Sequence, residues 1–162
     1  MTLHLSKYSS KIIKSAATED FISLRKNIVD SMIIILSSAN IFNFIIASNY
    51  TDSSAKTPHE LGNLIASQYI EGKHGLTLEI AIEFSSMVGI MCKAVESLDH
   101  LEAWPFRESL TKSLSHLFEH TLSLASIIGI SDIASEISDR LYYVEQKNPY
   151  FEELGNYKEG YK

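Results

Sequence analysis

Asp30 is a carboxylate set into an oily run. The stretch RKNIVDSMIIILSSANIFNF, residues 25 to 44, carries it within an otherwise apolar helix pattern. His116 and His120 flank Glu119 at a spacing that suits zinc on one helix face. Their order, H-x-x-E-H, echoes an inverzincin motif, yet no third ligand is evident and HLFEHTLSLAS reads as a core helix. Glu79 and Glu83, with the E-x-x-D of Glu136 and Asp139, could form a further acidic cluster. The pattern of DIASEISDRL instead puts its acids on a solvated face, with Ile133, Ile137, Leu141 and Val144 turned inward. Cys92, among Ile90, Met91 and Val95, reads as a small buried hydrophobe. Trp104-Pro105-Phe106 is the best candidate for surface recognition.

The elements that must position these residues are helices. Apolar spacing predicts helices over residues 5 to 17 and 22 to 47, then a linker at 48 to 57, where SNYTDSSAKTP breaks the period. Thr57-Pro58, with Glu60 three residues after Thr57, has the form of a helix start with a capping box. Further helices are expected at 58 to 72, at 78 to 97 capped by Thr77, at 107 to 128, and from a Ser131 cap to about Gln146. GKHG separates the third from the fourth, and residues 149 to 162 form a polar, aromatic tail. No stretch alternates with period two. The expectation is an all-α bundle of about six helices in one domain.

Composition narrows the function. The chain has 162 residues, 45% hydrophobic and 21% charged, enough for one buried core. Its net charge of −6 argues against a phosphate-backbone partner, so no nucleic acid is expected. One cysteine excludes an internal disulfide framework. The polar start MTLHLSKYSSKIIKS lacks an apolar leader, and Asp30, Asn40 and Asn43 argue against a membrane span at 28 to 47. A cytoplasmic setting without a membrane partner is the expectation.

The chain also repeats itself. YSSKIIKSA (8 to 16) aligns with FSSMVGIMCKA (84 to 94). Without a gap, NIVDSMIIILSSANIFNF (27 to 44) aligns with SLSHLFEHTLSLASIIGI (113 to 130), so that Ala39 meets Ala125 and Asn43 meets Gly129. The second copy has about ten more residues in its loop. A helix pair with one apolar face cannot fold alone, whereas two copies face to face close a four-helix core.

Residues 59 to 148 resemble the MazG-like all-α nucleoside triphosphate pyrophosphohydrolases, and the first pair extends the likeness to 5 to 47. In that family one helix carries E-E-x-x-E, as in EEVGELAKA, and the next carries E-x-x-D, as in ELADVLIYLLRLANRLGID. SMVGIMCKAV (86 to 95) matches the first in its small and apolar positions, and SLSHLFEHTLSLASIIGIS matches the second. NIVDSMIIILSSANIFN keeps more of the second pattern, as Asn27, Asp30 and Ala39-Asn40.

The resemblance implies a Mg²⁺ site that bridges substrate phosphates. It also implies sites formed across subunits, hence a homo-oligomer. The acids are mostly missing. The E-E-x-x-E positions read Ser86, Met87 and Ile90 in one copy, and Ser10, Lys11 and Lys14 in the other. The E-x-x-D positions read Ser113 and His116, and Asn27 and Asp30. Asp30 alone remains of the family's acids, with Glu83 and Glu119 as substitute metal ligands. Lys11, Lys14, Asn27 and His116 are the implied nucleotide contacts. Two functions follow: a non-catalytic binding or oligomerisation module with a degenerate metal site, or a Mg²⁺-dependent pyrophosphohydrolase acting on an NTP or dNTP. The missing acids favour the module.

Overall fold

The computed structural model describes residues 1–69 and 75–147. Among them the chain forms helices α1 (Thr2–Ala17), α2 (Phe21–Ile41), α3 (Pro58–Ala66), α4 (Leu76–Asp99), α5 (Phe106–Ile127) and α6 (Ile133–Lys147), with a 3₁₀ turn at Ile46–Tyr50. No strand occurs among the described residues. The all-α bundle expected from the apolar periods is what forms. No helix among the described residues is long and apolar enough to cross a membrane.

Local chemistry starts and stops these helices. Asp20 caps α2 by accepting from the Ser23 amide at 3.0 Å, and Thr57 caps α3 through the Glu60 amide at 3.1 Å. The Glu60 carboxylate reaches back to the Lys56 amide, one residue earlier than an ideal capping box would place it. α6 is capped by Asp132, not Ser131, through the Ser135 amide. α4 starts at Leu76 after Gly75, whose φ of 80° only glycine adopts easily, so Thr77 lies inside the helix. α2 ends at Ile41 rather than near residue 47. Asn43 takes φ of 50° there, and the Phe44 amide returns to the Ala39 carbonyl at 2.9 Å. α3 ends at Ala66, before the expected residue 72, and residues 72 to 74 of the GKHG break, like the tail, lie outside the described residues.

The bundle is a ring of four. α1 packs on α2 and α4, while α5 packs on α4 and α2. α3 then covers α5, and α6 covers α2. α2 therefore touches α1, α5 and α6, which is why its sequence is apolar nearly all round. Leu5, Ile12, Ile28, Phe84, Leu114 and Leu117 are fully enclosed at the centre.

The two pairs repeat each other in space as well as in sequence. Leu24, Ile28, Ile35 and Ala39 of α2 are buried, and so are their aligned partners Leu110, Leu114, Thr121 and Ala125 of α5. Both helices end in the same turn: Gly129 takes φ of 78° opposite Asn43, and the Ile130 amide returns to the Ala125 carbonyl at 2.8 Å. The extra length of the second pair goes chiefly into α4, 24 residues against 16 in α1, rather than into its loop. The helix that follows each pair packs on the other pair: α3 on α5, and α6 on α2.

Candidate functional site

Lys11 and Lys14, one turn apart on α1, face the start of α2 across a cleft of about 350 Å³. Ser15 and Thr18 from α1, and Asp20, Ser23, Lys26, Asn27 and Asp30 at the start of α2, complete its walls. The short 18-to-20 turn between the helices brings these groups together. Three of the four expected nucleotide contacts, Lys11, Lys14 and Asn27, thus meet in one place with Asp30. His116 does not line this cleft. It holds in the second pair the position that Asp30 holds in the first.

Asp30 meets a cation supplied by the chain itself. Arg140 of α6 donates from Nε to its Oδ1 at 2.6 Å and from Nη2 to its Oδ2 at 3.2 Å. The Tyr8 hydroxyl donates to Oδ2 at 3.0 Å. The bidentate fork satisfies a carboxylate that is almost wholly buried. Burial, then the Asp30 charge, raises the Tyr8 pKa, while hydrogen bonding to Asp30 raises that of Arg140. Asp30 thus pins α6 to α2, and Arg25 and Glu136 form a second ion pair across the same contact.

Neither Arg140 nor Tyr8 was among the residues singled out from sequence. The available signal was a lone acid in a helix otherwise too apolar to leave it unpaired. Leu141 and Val144, expected inward, are exposed at 49% and 40%, because α6 packs chiefly on α2 and turns Ile133, Ile137 and Arg140 inward.

The cleft is basic within an acidic protein. Among the described residues Lys11, Lys14 and Lys26 have no carboxylate within ion-pair distance, and Lys11 lies 5.6 Å over the Tyr8 ring. Asn27 is buried and donates to the Ser15 hydroxyl at 3.4 Å. Asp20 spends its charge on the α2 amides, and hydrogen bonding to Ser23 holds its carboxyl below the usual range. This donor set suits an anion and not Mg²⁺. Its one buried carboxylate is committed to a guanidinium, and the surrounding groups are ammonium, hydroxyl and amide.

Glu83 and Glu119 belong to another corner. Glu119 of α5 accepts from the Tyr50 hydroxyl at 3.0 Å, and its other oxygen lies 3.1 Å from His116 Nδ1. The Tyr69 hydroxyl is 2.5 Å from Nδ1 of His120, whose ring stacks near that of His116. Burial lifts the Tyr50 and Tyr69 hydroxyls, the latter to about 12, with Glu119 adding to both and Glu83 to Tyr69. Burial and the nearby His116 push His120 down to about 4. The result is a Tyr–Glu–His–His–Tyr network that ties the 3₁₀ turn and the segment just after α3 to α5. Among the described residues no three His, Cys, Asp or Glu side chains come together to hold a metal ion. Glu136 is paired with Arg25 and forms no cluster with Glu79 and Glu83. Cys92 is only half-buried, packed against the core.

Comparison with family models, with curated proteins and with solved structures gives no match to this chain.

Proposed function

We propose that the chain is a non-catalytic binding module on a MazG-like frame, holding a small phosphorylated anion in the cleft between α1 and α2. The observation that supports this reading is the convergence of Lys11, Lys14 and Lys26 around buried Asn27, beside an Asp30 already neutralised by Arg140. Lysines stand where the MazG-like pattern has acids, so the phosphates meet ammonium groups directly instead of through Mg²⁺. Ser15, Thr18 and Ser23 supply further donors along the wall. An acidic protein with one basic cleft concentrates small anions there and repels long polyanions elsewhere.

Calorimetric titration of pyrophosphate and of a nucleoside triphosphate, with and without Mg²⁺, tests the proposal. Binding without metal is expected, weakened by salt and abolished by combining Lys14→Glu with Lys26→Glu. Metal-dependent diphosphate release that disappears in Asp30→Ala would instead establish the Mg²⁺-dependent pyrophosphohydrolase. Self-association belongs to the same reading, since Ile82 and Ile90 of α4 lie exposed on its outer face. Sedimentation equilibrium of Ile82→Glu against the parent chain measures it.

A further inference from the structure

The second pair has a recess of its own where α4 ends and α5 begins, the corner corresponding to the lysine cleft of the first pair. Its character is reversed. Where the first pair places Ser15 and Asp20, the alignment places Met91 and Phe106, and both line the recess. Its volume is about 410 Å³. Met91, Leu110 and Ser38 at its floor are buried, whereas Ile41, Val95 and Leu98 at its rim are exposed. The cavity therefore runs from solvent down to the bundle core. Ser38 spends its hydroxyl on the Ile34 carbonyl, so even this polar residue presents little polarity inward.

Among the described residues one side-chain charge stands at this recess, whose lining also includes Met1 and Thr2. Arg107, exposed in the first turn of α5, lines it and anchors one Nη2 hydrogen on the Phe42 carbonyl at 2.7 Å. The guanidinium keeps further donors for a second acceptor. Glu108, the adjacent acid, is not among the lining residues. α5 also begins after Pro105 without a side-chain cap, whereas its counterpart α2 is capped by Asp20. A ligand carboxylate beside Arg107 would bring to α5 the negative charge that Asp20 brings to α2.

We infer that this recess binds a free amphipathic monoanion, with its hydrocarbon body between Met91, Val95, Leu98 and Phe106 and its carboxylate on Arg107. A site of this volume, apolar with one oriented polar group, has the make-up of a small-molecule pocket. Burying the chain covers a rim that water otherwise wets, and the Arg107 guanidinium selects the sign of the head group. The inference is independent of the lysine cleft, with which the recess shares no lining residue.

The test titrates the full chain with dodecanoate, dodecanol and dodecyltrimethylammonium below their aggregation limits. Dodecanoate is expected to bind once per chain, about tenfold tighter than dodecanol, with the cation weaker still. Val95→Glu, which places a carboxylate on the exposed rim, should abolish binding. Leu141→Glu, exposed on α6 outside the recess, should leave it intact. Arg107→Gln should erase the preference for dodecanoate over dodecanol. Equal binding of acid and alcohol, equal loss in both glutamate variants, or binding only to fatty-acid vesicles and not to the free monomer, would each overturn the inference.

Discussion

The Ser9 hydroxyl donates to the Ser85 hydroxyl across the α1–α4 contact, at 2.8 Å. These are the residues that the internal alignment sets against each other, and equivalents meet in space only where they lie near an axis relating the two copies. The aromatic-Ser-Ser start of each pair thus marks the place where α1 and α4 approach closest to symmetry, and the small side chains permit that approach.

Arg140→Ala should cost about 2–3 kcal/mol, read from urea unfolding, because it strands the Asp30 carboxylate against α2 without its fork. The figure sits below that for a fully buried pair because Arg140 is a quarter exposed. The double variant Asp30→Leu with Arg140→Met should recover most of the loss. Equal stability of all three proteins would remove the structural role given to Asp30.

Gly62→Ala should destabilise by about 1–2 kcal/mol, even though alanine is the better helix former. A Cβ there would lie 2.5 Å from the Leu122 carbonyl oxygen, a backbone atom that cannot swing aside. The readout is unfolding stability together with hydrogen exchange of α3, which should quicken before that of α1.

His120 makes stability depend on pH. Its folded value near 4 lies below the ordinary 6.5, so between those values the unfolded chain binds a proton that the folded chain refuses. Its contribution is complete above pH 6.5 and fades as pH falls toward 4. Between pH 7 and pH 5 the parent chain should lose about 1–2 kcal/mol more than His120→Gln does, measured by denaturant titration at each pH. Identical pH profiles would show that the ring titrates freely.

Ser31→Ala should stabilise the fold by about 1 kcal/mol. The Ser31 hydroxyl is wholly buried in α2 and finds no hydrogen-bond partner among the described residues, so its removal relieves an unmet donor and leaves only a small void. A drop in the thermal midpoint would reveal a partner for that hydroxyl.

Much of the fold was legible because local signals carry it. Thr57-Pro58 placed the start of α3, and the apolar periods placed α4 and α5 close to where they lie. The end of α2 was misjudged because IFNFII continues the apolar period past Ile41, although Phe42 and Phe44 pack on the core from outside a helix. The alignment held the correction: Asn43 stands opposite Gly129, and both occupy left-handed turns.

The site was half legible. Lys11, Lys14 and Asn27 share a cleft because one short turn joins their helices, and short turns are local. The partner of Asp30 was not legible, since periodicity says which face of α6 is apolar but not which distant acid its arginine meets. Glu83 and Glu119 read from the sequence only as acids in a bundle, and nothing local tells that Tyr50 and His116 engage Glu119.

Because α3 rests on α5 while α6 rests on α2, each half of this protein wears a panel cut from the other. A backbone break between α3 and α4 would therefore leave two incomplete pieces rather than two small proteins, each with its oily flank bare. Such fragments should be silent apart and regain structure on mixing, which would make the fold a natural scaffold for split reporters.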